Sequence, residues 1–306
     1  MTPAPRSPSS LPPEAAASGF GRPGVAAKES VLNFACEGER LVGILAEPSD
    51  APPAEVGVLI VVGGPQYRAG SHRQFTLLAR HLAANGFVAL RFDYRSMGDS
   101  AGETRDFQSV DADIAAAIDA LLKARPSLKR VALWGLCDAA SAALLYLDST
   151  RDPRIAGVAL LNPWARSAAT LAQTHVKHYY WRRLREKAFW LKLLRGGVGL
   201  TALRTLGGNL RLARGHGNAA ADSRCFQDRM AAGLLGFNGA TLLILSGDDY
   251  TAREFLLHAE ASTAWAAPLS NPRLQREALP EADHTFSDLG QAARVEMLSL
   301  NWLRKI

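Results

Sequence analysis

The stretch VALWGLCDAA, Val131 to Ala140, decides how the chain folds. Val131 to Gly135 is a short apolar run of strand character, and a helical pattern begins at Ala139 with almost no residues between them. A strand that reverses so abruptly into a helix crowds the turning residue with neighbouring backbone, so the positions two before and two after it must be small. Gly135 and Ala139 meet that requirement and leave Cys137 at the apex. Such a turn presents a nucleophile; the same heptapeptide also suits a cysteine packed inertly in a helix's first turn. What surrounds the stretch has to separate these readings.

Outward from this turn, strand-like and helical segments alternate. VGVLIVV (Val56 to Val62), FVALRFDY (from Phe87), IAGVALLN (Ile155 to Asn162), TLLILSG (Thr241 to Gly247) and a short run from Leu274 to Leu279 read as strands. Helical patterns are expected from about His72 to Ala84, Gln108 to Ala124, Ala139 onward and Ala252 to Trp265, with a terminal helix at the end. Near-continuous Val, Ile and Leu with helices between predicts a mostly parallel sheet covered on both faces. Ahead of it, Val31 to Cys36 and Leu41 to Glu47 flank Glu37-Gly38-Glu39 and predict an antiparallel hairpin. Residues 1–28, rich in Pro, Ala, Ser and Gly without a period, are expected to be a disordered tail, leaving 29–306 as one domain.

The 306 residues are 48% hydrophobic and 21% charged, which suits a globular chain with a sizeable core. Neither a signal-peptide core nor an apolar run of membrane-spanning length is legible, so a cytoplasmic protein is expected. Three scattered cysteines, Cys36, Cys137 and Cys225, make neither a disulfide framework nor a metal-binding pair, and no metal or cofactor is expected.

Chain order separates the two readings of Cys137. When a nucleophile sits on such a turn, the acid follows the next major strand and the histidine precedes the terminal helix. Ser246-Gly247-Asp248-Asp249 stands at the first address and Glu281-Ala282-Asp283-His284-Thr285-Phe286 at the second. Three independent positions are thus met, and they predict an α/β-hydrolase fold with a Cys137, His284 and Asp249 triad. Asp248 is the alternate acid, since one carboxylate of the pair can serve the imidazole while its neighbour caps the helix that follows. His72, His81, His175, His178 and His258 lie away from the required address.

Acyl transfer also needs donors for the oxyanion. The amide after the nucleophile, Asp138, supplies one, and Gly64 in Val62-Gly63-Gly64-Pro65 the other; Pro65 has no N–H, which makes Gln66 the fallback. A thiolate at a helix N-terminus beside a histidine is stabilised, and such a nucleophile suits thioesters and activated esters. In the segment Phe92 to Ser100, Asp93 and Arg95 are expected to brace loops through charge-assisted hydrogen bonds.

Five segments carry a family resemblance: GGPQYRAGSHRQF from Gly63, RFDYRSMGDSAGE from Arg91, WGLCDAAS from Trp134, LSGDDYTAREF from Leu245 and ADHTF from Ala282. Together they resemble the exosortase A system-associated hydrolase, type 1. The resemblance implies an α/β-hydrolase fold, a cysteine nucleophile, and a setting with bacterial exopolysaccharide and protein-sorting genes. Dienelactone hydrolases also carry a cysteine on the elbow, but they keep Gly where this chain has Ala139.

From about 165 to 238 the alternation stops, and an inserted helical cap over the site is expected. Between His175 and Arg195 it holds seven basic residues against Glu186 alone, enough to account for the net charge of the whole chain, +6. Trp181, Leu184, Ala188, Leu191 and Leu194 recur at helical spacing. Arg182, Arg183 and Arg185 lie on the basic face, which is either plain solvated surface or the contact for an anionic membrane, a phosphorylated carrier or a CoA-like substrate. Nucleic acid is not expected, because no recognition module is legible. The function expected is an esterase or thioesterase acting on a small acyl substrate. An acyltransferase with the same triad, or a non-catalytic partner of an envelope assembly, is the alternative.

Overall fold

The computed structural model describes residues 27–49, 52–64, 66–166 and 224–306. These residues form an eight-stranded sheet with helices on both faces. It opens with β1 (Ala27–Cys36) and β2 (Glu39–Pro48), paired antiparallel as the sequence predicts. Glu37 and Gly38 between them both have positive φ, 49° and 87°, the backbone of a two-residue turn whose twist matches that of the strands.

Strands β3 (Val56–Val61), β4 (Ala89–Asp93), β5 (Arg130–Leu136), β6 (Ile155–Leu161), β7 (Ala240–Asp248) and β8 (Leu274–Asp283) complete the sheet in the order β1-β2-β4-β3-β5-β6-β7-β8. From β4 to β8 every pairing is parallel. The residues of β3, β4 and β6 are all buried, because helices cover them from above and below.

On one face, α1 (Gln74–Ala84) and the last helix, α7 (Leu289–Leu303), pack Phe75, Leu78, Leu82, Leu298 and Trp302 against Ile60, Trp134 and Ile244. The other face carries α2 (Asp111–Ala124), α3 (Asp138–Thr150), α4 (Phe226–Gly236), α5 (Tyr250–Ala261) and α6 (Thr263–Leu269). Their Ile114, Leu144, Met230, Phe255 and Trp265 join Leu59, Leu133 and Leu243 in a second core. Each fully buried Leu or Ile contributes about 1.5–3 kcal/mol. α4 rests on α3, so the chain returning from the expected cap becomes part of the cover over the sheet. The rest of that insert, 167–223, with Arg182, Arg183 and Arg185, and nearly all of the expected tail lie outside the described residues.

Helix limits differ from the sequence expectation at three places. His72 and Arg73 take left-handed φ values of 52° and 61° within a 3-10 turn, so α1 begins at Gln74 rather than at His72. A turn at Asp106 to Ser109 delays α2 to Asp111. The single helix expected from Ala252 to Trp265 is two, α5 and α6, because Ser262 is extended (φ −106°, ψ 123°) and breaks the ladder.

Candidate active site

Strand order turns round at β3: the chain leaves it for β4 on one side and comes back to β5 on the other. Loops leaving neighbouring strands in opposite directions open a crevice at the strand ends. The Gly63-Gly64 loop after β3 and the Cys137 turn after β5 meet there.

Cys137 has φ 63° and ψ −125°, a conformation costly for any residue with a side chain and kept only where its surroundings force it. Those surroundings are specific. Cys137 N donates to Leu161 O at 2.8 Å, and Cys137 O accepts from Ala140 N at 3.1 Å and Trp164 N at 3.2 Å. A Cβ on Gly135 would stand 2.7 Å from the backbone of Ala139, so the glycine the turn requires is present for the reason the sequence indicates. The thiol is half-buried at the start of α3, and Cys36 is buried while Cys225 is exposed.

His284 follows β8, and its Nδ1 lies 2.9 Å from Asp249 Oδ2. Its Asp249 bond first, and then hydrogen bonding to Cys137, push the imidazole up to about 10. Burial opposes the shift but does not prevail. The histidine is therefore an imidazolium at neutral pH, placed between a carboxylate and a thiol. Burial pushes the Asp249 carboxyl up, yet the His284 bond and the amides of Thr251 and Ala252 bring it below the ordinary range. Both tasks that the sequence divides between two aspartates thus fall to Asp249, which caps α5 and holds the imidazole. Asp248 is exposed, and Asp283 is engaged by Ser287 and the Thr285 amide. Neither takes the place of Asp249 on the ring.

The oxyanion loop holds a surprise. Gly64 is where the sequence places a donor, but its N–H is already bonded to the Asp138 side chain, Oδ2, at 2.8 Å. Asp138, expected to contribute only its amide, brings a carboxyl into the same pocket. A Cβ on Gly63 would collide with Asp138 Oδ1, so the loop is shaped around this side chain.

Two sets of residues that motif reading did not assign hold the site together. Asn162, fully buried with φ 43°, donates from Nδ2 to Ser246 Oγ (2.8 Å) and to His284 O (3.2 Å), and its Oδ1 accepts from Ser246 N (2.8 Å). It joins the ends of β6 and β7 to the histidine loop. Trp164 and Ser141 brace the turn itself: Ser141 Oγ donates to Trp164 O at 2.7 Å, and the Arg166 guanidinium stacks 4.7 Å from the Trp164 ring while bonded to Glu254. An Asn or Ser at a strand end ordinarily signals only a turn, so nothing local marked these roles.

On the β4 side, Asp93 accepts Arg68 N at 2.6 Å, the Arg68 guanidinium and Asp99 N at 3.2 Å. Arg95 grips Asp113 through its backbone N (2.8 Å), Nε (3.1 Å) and Nη2 (2.8 Å), and also meets Glu37. The loop bracing expected of Asp93 and Arg95 takes this form. Among the described residues no three His, Cys, Asp or Glu side chains are grouped to hold a metal ion. No helix of the described residues is long and apolar enough to cross a membrane.

The chain has the α/β-hydrolase fold. Residues 56–204 match the family model described as serine aminopeptidase, S33, with Cys137 standing at the elbow of this chain. An esterase of Pyrococcus furiosus is 15% identical over 91% of this chain and 93% of its own, with a TM-score of 0.59. A dienelactone hydrolase of Anabaena variabilis is 15% identical over 92% and 98%, with a TM-score of 0.57. A serine hydrolase without lid from Xanthomonas campestris is 14% identical over 91% and 94%, with a TM-score of 0.53. No curated protein matches the chain.

Proposed function

We propose that this protein hydrolyses small ester or thioester substrates through an acyl-enzyme on Cys137. The observation that carries the reading is the Asp249 Oδ2 to His284 Nδ1 bond of 2.9 Å beside a cysteine on a strained turn. It leaves Nε2 as the ring nitrogen that can serve the thiol. Likeness to proteins described as an esterase and a dienelactone hydrolase supports ester chemistry, while the family model matched by residues 56–204 is described as an aminopeptidase.

The Cys137 thiolate attacks the substrate carbonyl carbon, and the carbonyl π pair moves onto oxygen. Collapse of this intermediate re-forms the carbonyl and expels the alkoxide or thiolate, which takes the proton of the His284 imidazolium. Neutral His284 then deprotonates a water that attacks the acyl carbon, and Cys137 leaves as thiolate. Asp249 keeps the imidazole oriented and stabilises its charge throughout.

Five sequence segments support a setting among exosortase and exopolysaccharide functions. With reduced thiols, this favours a cytoplasmic enzyme whose basic Arg182, Arg183 and Arg185 meet an anionic membrane or a phosphorylated carrier. Charge reversal at these three is expected to weaken binding to anionic vesicles; unchanged binding and activity would remove that contact.

Intact-mass analysis after brief iodoacetamide treatment tests the nucleophile. Cys137 is expected to be labelled ahead of buried Cys36 and of Cys225, and labelling is expected to slow in His284→Ala. Equal labelling of all three thiols, or labelling indifferent to His284, would refute the reading.

A further inference from the structure

Between the first turns of α1 and α7, beside the loop that carries His284, lies a cavity of about 50 Å³. Its lining is mostly apolar: Leu77, Leu78, Trp134, Phe286, Leu289 and Val295. Trp134 and Phe286 are buried, whereas Leu289 is 81% and Leu77 36% exposed, so an apolar floor leads out to an apolar mouth. Two polar residues of the lining are left short of partners. Gln74 Nε2 is buried with no hydrogen bond. Glu296 has His81 Nδ1 as its nearest basic group, at 3.7 Å, which is beyond hydrogen-bond range, and burial pushes its carboxyl up. The remaining polar members are already accounted for: His72 is exposed, and Ser287 gives its hydroxyl to Asp283.

What fills the cavity has to satisfy both kinds of surface. Water can meet Gln74 but leaves six apolar side chains against it, and hydrocarbon alone leaves the amide unmet. A carboxylate accepts from Gln74 but brings Glu296 no donor, and an ammonium donates but accepts nothing. A hydroxyl does both, with one O–H and two lone pairs, and an alkyl chain behind it matches the rest of the lining. The volume equals the share of roughly two waters in the liquid, so a hydroxyl and its first carbons fit inside while a longer chain follows Leu77 and Leu289 outward.

We propose that this cavity binds a small primary alcohol, whose hydroxyl accepts from Gln74 Nε2 and donates to Glu296 while its chain lies against Trp134 and Phe286. No covalent bond forms or breaks. Alcohols are what the ester hydrolysis proposed above releases, so on that reading, and only on it, the ligand is a product. Occupancy itself needs no chemistry at Cys137. Phe286 is buried, has φ 52° and stands two residues past His284, which puts the ligand against the loop that carries the histidine.

The test is saturation-transfer NMR of the full chain with 1-butanol, butanoate and 1-aminobutane, with iodoacetamide alkylation of Cys137 read separately. The wild type is expected to give a saturable 1-butanol signal, with butanoate and 1-aminobutane each about tenfold weaker. Gln74→Leu keeps an apolar wall and removes the amide, and is expected to weaken 1-butanol by about tenfold. Ala292→Leu, on a partly exposed position of the lining, is expected to fill the cavity and abolish the signal. No saturable 1-butanol signal in the wild type would overturn the site, leaving water as its occupant. Equal binding of butanoate or 1-aminobutane would overturn the role given to the hydroxyl, and a 1-butanol signal unchanged in folded Ala292→Leu would place the alcohol elsewhere. The ranking of the three probes is read on the wild type, so it decides the matter even where a variant fails to fold. Saturable 1-butanol binding beside unselective alkylation of Cys137 would sustain the site and remove only its tie to a product.

Discussion

The two flanks of Cys137 hold their loops by different physics. On the β4 flank, buried charges are paired: Asp93 with Arg68, and Arg95 with Asp113. On the β6 to β8 flank, the links that reach the histidine loop are an amide, a hydroxyl and carbonyls, in Asn162, Ser246, Asp283 O and His284 O, and the ion pair there, Arg166 with Glu254, braces Trp164 instead. A buried ion pair fixes geometry forcefully because removing one partner strands the other charge. Neutral links fix it more gently and add no field. The difference follows from what each flank serves. Another anion directed at His284 would compete with Asp249 for the imidazolium, and the links to its loop are neutral, with the spare carboxylate, Asp283, turned onto Ser287 and Thr285.

The sharpest probe of this contrast is the one charge that the neutral flank does aim at the ring. Asp249→Asn keeps a side chain able to cap α5 but removes the negative charge, and is expected to lower kcat by about 10²- to 10⁴-fold with the fold retained. In the proposed mechanism the leaving group takes the imidazolium proton, so the alkaline limb of kcat should drop from about 10 in wild type toward the ordinary histidine value of 6.5. An alkaline limb unmoved in the pH profile would show that Asp249 does not set it.

On the charged flank, Asp113→Ala leaves Arg95 with only Glu37, whose side chain is largely exposed, and is expected to destabilise by about 3–5 kcal/mol in urea unfolding. Asn162→Ala on the neutral flank is expected to lose about 1–3 kcal/mol by the same measurement, with a lower kcat because His284 O loses its tether. Equal losses in the two variants would erase the distinction between the flanks.

The smallest effect is on stability against pH. The folded-state pKa of His284, about 10, lies above its ordinary 6.5, so the folded protein binds more protons across that interval. Its stabilisation is complete below about pH 6.5 and fades as pH rises through about 10. Thermal unfolding from pH 6 to 10 should therefore show a smaller loss in His284→Gln than in wild type.

The sheet, the tight turn at Cys137 and the places of Asp249 and His284 just past β7 and β8 are legible because each depends on short-range pattern: apolar runs, small residues around a tight turn, and polar residues just past a strand. What was not legible depends on contacts between distant residues. Asn162 acts through Ser246, 84 positions on, and His284, 122 positions on. Asp249 holds the ring and the helix end together because Oδ2 can meet both His284 and the Ala252 amide. The Asp138 carboxyl at Gly64 N–H could not be read from a motif that assigns that position by backbone alone. Helix ends failed where the backbone turned without Gly or Pro, at His72, Arg73 and Ser262.

The tether from Asn162 to the His284 carbonyl also bears on how the protein is made. During synthesis, at roughly 5–20 residues per second, Cys137 emerges well before the segment that carries its histidine. Under the proposed mechanism, until that segment docks the thiol is without the histidine that would activate it. On that mechanism a nascent chain would carry a dormant cysteine, and reactivity would be gained only as folding completes.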